Sequence, residues 1–186
     1  MIYWCRHMKY YFISILLVLV IFSLGNAHSQ KSTTEWKIYT DPQGKFTVKY
    51  PSNWNIEPRE NRFDTKDVEF SIMDEGNSVH LGIVTTQTPE GLNIEEGEDV
   101  ISQRTATRDN FRLIETWECE KYVISNEKTC SLVFTTGFSP FEFAEMDVYT
   151  IDGTTSYTIV YKTIPDIFDK YLPTAEQIIQ SIKFSN

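Results

Sequence analysis

An α+β fold is predicted, with a central antiparallel sheet of about six to eight strands packed by two helices. Three observations predict it. Several stretches alternate apolar and polar residues with the period of two that marks a half-buried strand. Three pairs of such stretches flank compact turn clusters and so read as hairpins. The chain closes on apolar residues at three- and four-residue spacing, the pattern of an amphipathic helix.

Phe46, Val48 and Tyr50 alternate with Lys45, Thr47 and Lys49 in the strand around which the chain is organised, and Pro51 ends its ladder for want of an N–H. Upstream lies Trp36–Thr40, joined through Asp41-Pro-Gln-Gly44. Pro42 suits the first corner of a type I turn and Gly44 a left-handed position after it. That three-residue loop sets Ile38 opposite Val48 and Trp36 opposite Tyr50. Asn55 to Asp67 is polar and charged and reads as a loop. Val68, Phe70 and Ile72 then face Ile83, Leu81 and Val79 across the turn cluster Asp74-Glu-Gly-Asn77. Asn93, with Glu96 three residues on, resembles a helix N-cap and its box partner, so a helix is expected over 94–109. Residues 111–117, 121–125 and 129–136 read as strands, and Gly137-Phe-Ser-Pro140 as a break. Residues 141–151 and 156–163 form a hairpin about Asp152-Gly153, with Val148 opposite Tyr157, Met146 opposite Ile159 and Ala144 opposite Tyr161. Glu142, Glu145 and Asp147 are expected to edge the outside of this ribbon. The closing helix carries Phe168, Tyr171, Leu172, Ala175, Ile178, Ile179 and Ile182 on one stripe. Pro173 is expected to kink or split it.

The N-terminal 29 residues are set apart from this domain, which then runs from Gln30 to Asn186. Arg6 and Lys9 precede an apolar run from Phe12 to Leu24, and Ala27-His-Ser29 offers small residues for a signal peptidase. These are the parts of a secretory signal, with Met8-Lys9 as the more usual start. The run is short for a membrane span of about 20 residues, which favours cleavage over an uncleaved anchor. Without Arg6 and Lys9 the chain has 15 basic against 26 acidic residues, a net charge of −11. So acidic a surface repels nucleic acid and anionic lipid. It suits an extracytoplasmic protein, or a partner with a basic face.

Two cysteines remain, Cys119 and Cys130. In an oxidising compartment two cysteines suggest one disulfide. Against this, Cys130 alternates with Leu132 and Phe134 as a small core residue would, and a tight hairpin about Asn126-Glu127 would set Cys119 opposite Phe134. Both readings stand at the level of sequence.

The stretch Asp41-Pro-Gln-Gly-Lys-Phe-Thr-Val-Lys-Tyr-Pro-Ser-Asn-Trp54 resembles the opening of PsbP-like domains, and Phe168 to Phe184 is similar to the family's closing helix. The two matches bracket nearly all of the chain after the signal. The resemblance implies a Mog1/PsbP-like α/β/α sandwich. In photosynthetic organisms it implies an extrinsic subunit of photosystem II tied to calcium and chloride retention. The leader lacks the Ser- and Arg-rich character of a chloroplast transit peptide, which points to a non-photosynthetic, secreted member. The resemblance allows calcium as a ligand without naming its donors.

The chemistry-bearing residues are few. His80 is the one imidazole well inside the mature chain, opposite Ser71 and on the face away from Val79 and Leu81. A surface histidine is its simpler reading. No phosphate-binding loop, dinucleotide fingerprint, nucleophile elbow or zinc-protease motif occurs, so neither a nucleotide nor a catalytic residue is expected. Glu95, Glu96, Glu98 and Asp99 could offer oxygen ligands to calcium. A solvated helix start, stabilised by the helix dipole, accounts for them more simply. Trp117, Phe138 and Phe141 are candidates for a contact patch. The leading expectation is a non-enzymatic extracytoplasmic module that docks to a membrane-associated complex. The alternatives are a small secreted enzyme or ligand carrier with a pocket on the sheet, and a calcium-binding surface protein.

Overall fold

The computed structural model describes residues 35–60, 66–95 and 106–185, without the side chains of 58–60, 66, 67, 116 and 117, and most of the regular structure among these residues is ten strands and one long helix. The strands are β1 Trp36–Thr40, β2 Phe46–Pro51, β3 Asn55–Glu60, β4 Lys66–Asp74, β5 Asn77–Gln87, β6 Arg112–Ile124, β7 Glu127–Phe138, β8 Phe141–Asp152, β9 Thr155–Thr163 and β10 Lys183–Phe184. The helix, α1, spans Pro165–Gln180. Seven strands form one antiparallel sheet in the order β3-β4-β5-β9-β8-β7-β6, and β1-β2-β10 form a small second sheet. The antiparallel α+β class is therefore observed. The expected helix over 94–109 lies mostly outside the described residues.

The first face of the large sheet is the core. Phe70, Leu81, Ile83, Met146, Val148, Ile159 and Tyr161 project from it and are covered by α1 and by Phe46, Val48 and Tyr50 of β2. Burial of these side chains, at roughly 1.5–3 kcal/mol each, is the main force holding the layers together. Directional contacts then fix the helix. Tyr161 donates its hydroxyl to the Phe168 carbonyl at 2.7 Å, and the buried Tyr122 donates to Glu176 at 3.0 Å. Ser181, at the helix C-terminus, receives the Lys49 N–H at 2.8 Å.

The β4–β5 pairing is the one read from the sequence, closed by Glu75 and Gly76 with φ of 50° and 86°. Four other local features differ from expectation. In the first hairpin the Asp41 carboxylate accepts the N–H groups of Gln43 and Lys45, and Asp41 N–H bonds Phe46 carbonyl. The loop is one residue longer than a Gly-bulge loop, so Ile38 pairs with Lys49 and Trp36 with Pro51. Ile38 is left 66 % exposed. In the third hairpin the turn sits one residue later, at Gly153-Thr154, so Val148 faces Ile159 and Met146 faces Tyr161. That shift moves the register by two and leaves every side chain on its expected face. Residues 55–60 are strand β3 rather than loop, because β4 offers them a free edge. Pro173 lies inside an unbroken α1. It and Asp169, whose carbonyl loses its helical partner, are both exposed, which leaves that carbonyl open to solvent.

Candidate functional site

The second face of the large sheet carries the polar chemistry. Cross-strand register places Ser71, His80, Lys162, Glu145 and Phe134 in one row over β4, β5, β9, β8 and β7. The next row holds Glu69, Gly82, Val160, Asp147 and Leu132. Glu145 and Asp147 are each 2 % exposed. They do not edge the ribbon. β8 is a central strand, and Arg108 and Phe111, on the segment before β6, pack against Phe134 beside them.

Glu145 is closely satisfied. Its carboxylate accepts from Lys162 Nζ at 2.9 Å, from Thr136 Oγ1 at 3.1 Å and from Arg108 Nη1. Burial works to raise its pKa, but the Lys162 hydrogen bond and the charges of Arg108 and Lys162 outweigh it and hold the carboxyl below its ordinary value. Asp147 is the opposite case. Its Oδ1 has no hydrogen-bond partner and Arg108 Nη2 stands 4.0 Å from Oδ2. Burial, against the pull of Arg108 and with the repulsion of Glu145, pushes its pKa up to about 7.

Beside this pair lies a shallow concavity of about 360 Å³ over β4, β5 and β9, with Glu69, His80, Phe143 and Lys162 among its walls. Gly82 leaves its floor bare. His80 Nδ1 lies 3.0 Å from Glu69 Oε1, and Lys162 Nζ sits 4.4 Å from the centre of the Phe143 ring. The arrangement offers a carboxylate-oriented imidazole, a cation and aliphatic walls at Val84 and Val160.

Cys119 and Cys130 are paired directly across β6 and β7 and joined by a disulfide. The β6–β7 hairpin turns at Ser125-Asn126, with φ of 52° and 71°, not at Asn126-Glu127. A bulge between Cys119 and Val123, with Glu120 at φ 70°, then takes up two residues of β6 and brings Cys119 level with Cys130. Neither the turn type nor the bulge carries a distinctive residue, which is why the sequence left the pairing open.

Phe138 and Phe141 face each other at the tip of the β7–β8 hairpin, 62 % and 66 % exposed, about a cis Ser139–Pro140 bond. Trp117 lies within β6, and its side chain is outside the described residues. Glu95 is exposed, while Glu96, Glu98 and Asp99 lie outside the described residues. Among the described residues no three metal-ligating side chains converge, and no helix is long and apolar enough to cross a membrane. The sequence placed Glu145 and Asp147 on the outside of the ribbon and offered neither Lys162 nor Arg108 as a site residue. The signal was there in alternating acids inside a strand flanked by hairpins on both sides, where the second face must also be partnered.

No family model matches the chain, and no curated protein matches it by sequence. Solved structures do match. The solution structure of cyanobacterial PsbP from Synechocystis sp. PCC 6803 is 14 % identical, with a TM-score of 0.62 over 84 % of this chain and 96 % of that one. The fold is PsbP-like. LpqN, involved in cell envelope biogenesis of Mycobacterium tuberculosis, is similar to the same PsbP-like core at 8 % identity and TM-score 0.56, over 84 % of this chain and 88 % of its own. A protein from Bacteroides thetaiotaomicron is similar at 12 % identity and TM-score 0.55, over 81 % of this chain and 48 % of its own. At these identities the PsbP likeness is one of fold.

Proposed function

We propose that this PsbP-like chain is an extracytoplasmic, non-enzymatic binding and assembly module that docks to a membrane-associated complex. The observation that carries the docking is the hairpin tip, where Phe138 and Phe141 stand opposite one another and mostly exposed. Large aromatic side chains in such a position are uncommon on a free surface and enriched at contact sites. The compartment is supported by the Cys119–Cys130 disulfide, since such bonds persist outside the reducing cytosol. It is supported too by the apolar run Phe12–Leu24 and by the fold shared with a protein involved in cell envelope biogenesis.

Affinity capture from cross-linked native membranes tests this, using a tagged Gln30–Asn186 chain beside its Phe138→Ser/Phe141→Ser double variant. A membrane complex recovered with the first and reduced with the second is the expected result. Equal recovery with both, or none with either folded chain, would refute it.

A second reading, a secreted carrier of a small ligand, is favoured by the concavity walled by Glu69, His80 and Lys162. Its ligand would present an anionic group to Lys162 and an apolar body to Val84, Val160 and Phe143. Calorimetric screening of small carboxylates against the chain, with His80→Ala and Lys162→Met as controls, tests it.

A further inference from the structure

We infer that the Phe138–Phe141 tip is a membrane-contact site that seats its two aromatic rings in the interfacial layer of a zwitterionic lipid surface. The inference rests on the membrane-proximal part of the function proposed above and names what the tip touches there.

The tip is a finger. The β8–β9 ladder ends at Ala144 and Thr163, while β7 and β8 continue as a pair through Thr136/Phe143, Gly137/Glu142 and Phe138/Phe141. Three residue pairs carry the tip about 10 Å past the end of β9. Its base is anchored. Gly137 donates its N–H to the Asp109 carbonyl at 2.9 Å, and at φ 86° a Cβ there would collide with the Phe141 carbonyl oxygen. The finger is therefore preorganised and presents Phe-Ser-Pro-Phe with no charge among them. The nearest charge along the chain, Glu142, is paired with Arg112 at 2.8 Å.

Shape and area suit a lipid surface. A finger is convex, and two phenylalanines exposed by about two-thirds offer on the order of 200–300 Å². A stable protein interface takes about 800 Å² from each partner. A bilayer interface needs no such complementary surface, because lipid rearranges around an inserted ring.

The route of the chain locates this end of the fold. Lys49 bonds Ser181 at one end of α1 and Trp54 meets Tyr171 nearer the other, so β2 runs toward the start of α1. Trp36 pairs with Pro51 there, and the Glu35 carbonyl accepts from Ser52 at 2.7 Å. β9 feeds α1 at this same end, past which the finger projects. The end of the fold where the described chain begins is thus the end that bears the finger. The net charge of −9 and the absence of Lys or Arg from the tip select zwitterionic over anionic lipid.

The test places tryptophan at the tip. The full chain carrying Phe141→Trp is mixed with phosphatidylcholine vesicles whose acyl chains carry bromine, a short-range quencher. The added emission, taken as the difference from the parent chain, should fall about twofold or more against unbrominated vesicles. Val123→Trp, exposed at the opposite end of the sheet, should not change. Unquenched emission from Trp at position 141, or equal quenching at both positions, overturns the inference. Unquenched emission combined with Phe141-dependent capture of a membrane protein overturns it in favour of a protein contact and leaves the docking function standing. Quenching without any captured complex upholds the lipid contact and removes the docking function instead.

Discussion

Lys162 and Glu145 stand directly opposite each other across β9 and β8, with Lys162 Nζ 2.9 Å from a carboxylate that is almost wholly buried. Arg108 closes on the same carboxylate from the segment before β6. Removing one partner from a buried ionic cluster leaves the others without their counter-charge, a loss of about 3–5 kcal/mol. Glu145→Ala is therefore expected to lower unfolding stability by about 3 kcal/mol, because Arg108 and Lys162 retain some access to water. Glu145→Gln, which keeps the shape and one acceptor oxygen, should cost less. Urea unfolding of the three chains checks both.

The two acids of β8 pull stability in opposite directions with pH. Glu145 is held below its ordinary pKa, so its contribution is present above the unfolded value and is lost as pH falls through the folded one. Asp147 is raised to about 7, so its contribution is complete below its ordinary value of 3.8 and is lost as pH rises toward 7. Stability should peak in mildly acidic solution and fall on the way to pH 8. Asp147→Asn should remove the fall on the alkaline side and gain on the order of 2–4 kcal/mol at pH 8, at about 1.4 kcal/mol per pKa unit. Denaturant midpoints from pH 4 to 8 decide it, and an unchanged slope in the Asn variant would refute it.

The Cys119–Cys130 bond spans 11 positions in sequence and ties an irregular edge strand to its neighbour. Constraining a loop of that size in the unfolded chain is worth about 2–3 kcal/mol. Reduction, or Cys119→Ser, should lower stability by that amount. Paired unfolding curves with and without reductant, alongside a free-thiol count, measure it.

Pro173 interrupts the hydrogen bonding of α1 on its exposed side. Proline inside a helix costs about 3 kcal/mol relative to alanine, and its stiffening of the unfolded chain returns up to about 1. Pro173→Ala should raise stability by about 1–2 kcal/mol, read as a higher melting temperature with unchanged helical signal shape.

Gly82 forms the floor of the concavity, and a Cβ built there meets only the Val68 carbonyl oxygen, at 3.9 Å. Gly82→Ala should stabilise β5 by about 0.5–1 kcal/mol, since glycine weakens a strand interior. Gly82→Val should shallow the concavity while preserving the fold. A carrier of small carboxylates would lose affinity in that variant, whereas capture through the hairpin tip would be unaffected.

The faces of the strands were legible from alternation alone. Val68, Phe70 and Ile72 meet Ile83, Leu81 and Val79 as read, and the third hairpin kept its faces although its turn lies one residue on. Exact registers were less legible where a side chain rather than the backbone set the loop. Asp41 is the instance, its carboxylate taking two amide N–H groups and lengthening the first turn by one residue. The candidate sites were half legible. Phe138 and Phe141 stand out as aromatic residues about a Gly and Pro break, but the same residues would suit a buried loop until the ladder shows them at a free tip. Glu145 and Asp147 were visible as acids, and nothing in the neighbouring sequence announces Arg108 or Lys162 as their partners.

The sequence by itself determined the antiparallel class, the alternating faces and the amphipathic stripe of the closing helix, because these follow from periods of two and about 3.6 that a few residues can express. Only the tertiary structure decided that β8 lies in the sheet interior between β9 and β7, that its acids are buried between an arginine and a lysine distant in sequence, and that a bulge at Glu120 aligns Cys119 with Cys130. Strand order and bulges depend on how whole faces pack against one another, and no local pattern of residues carries that information.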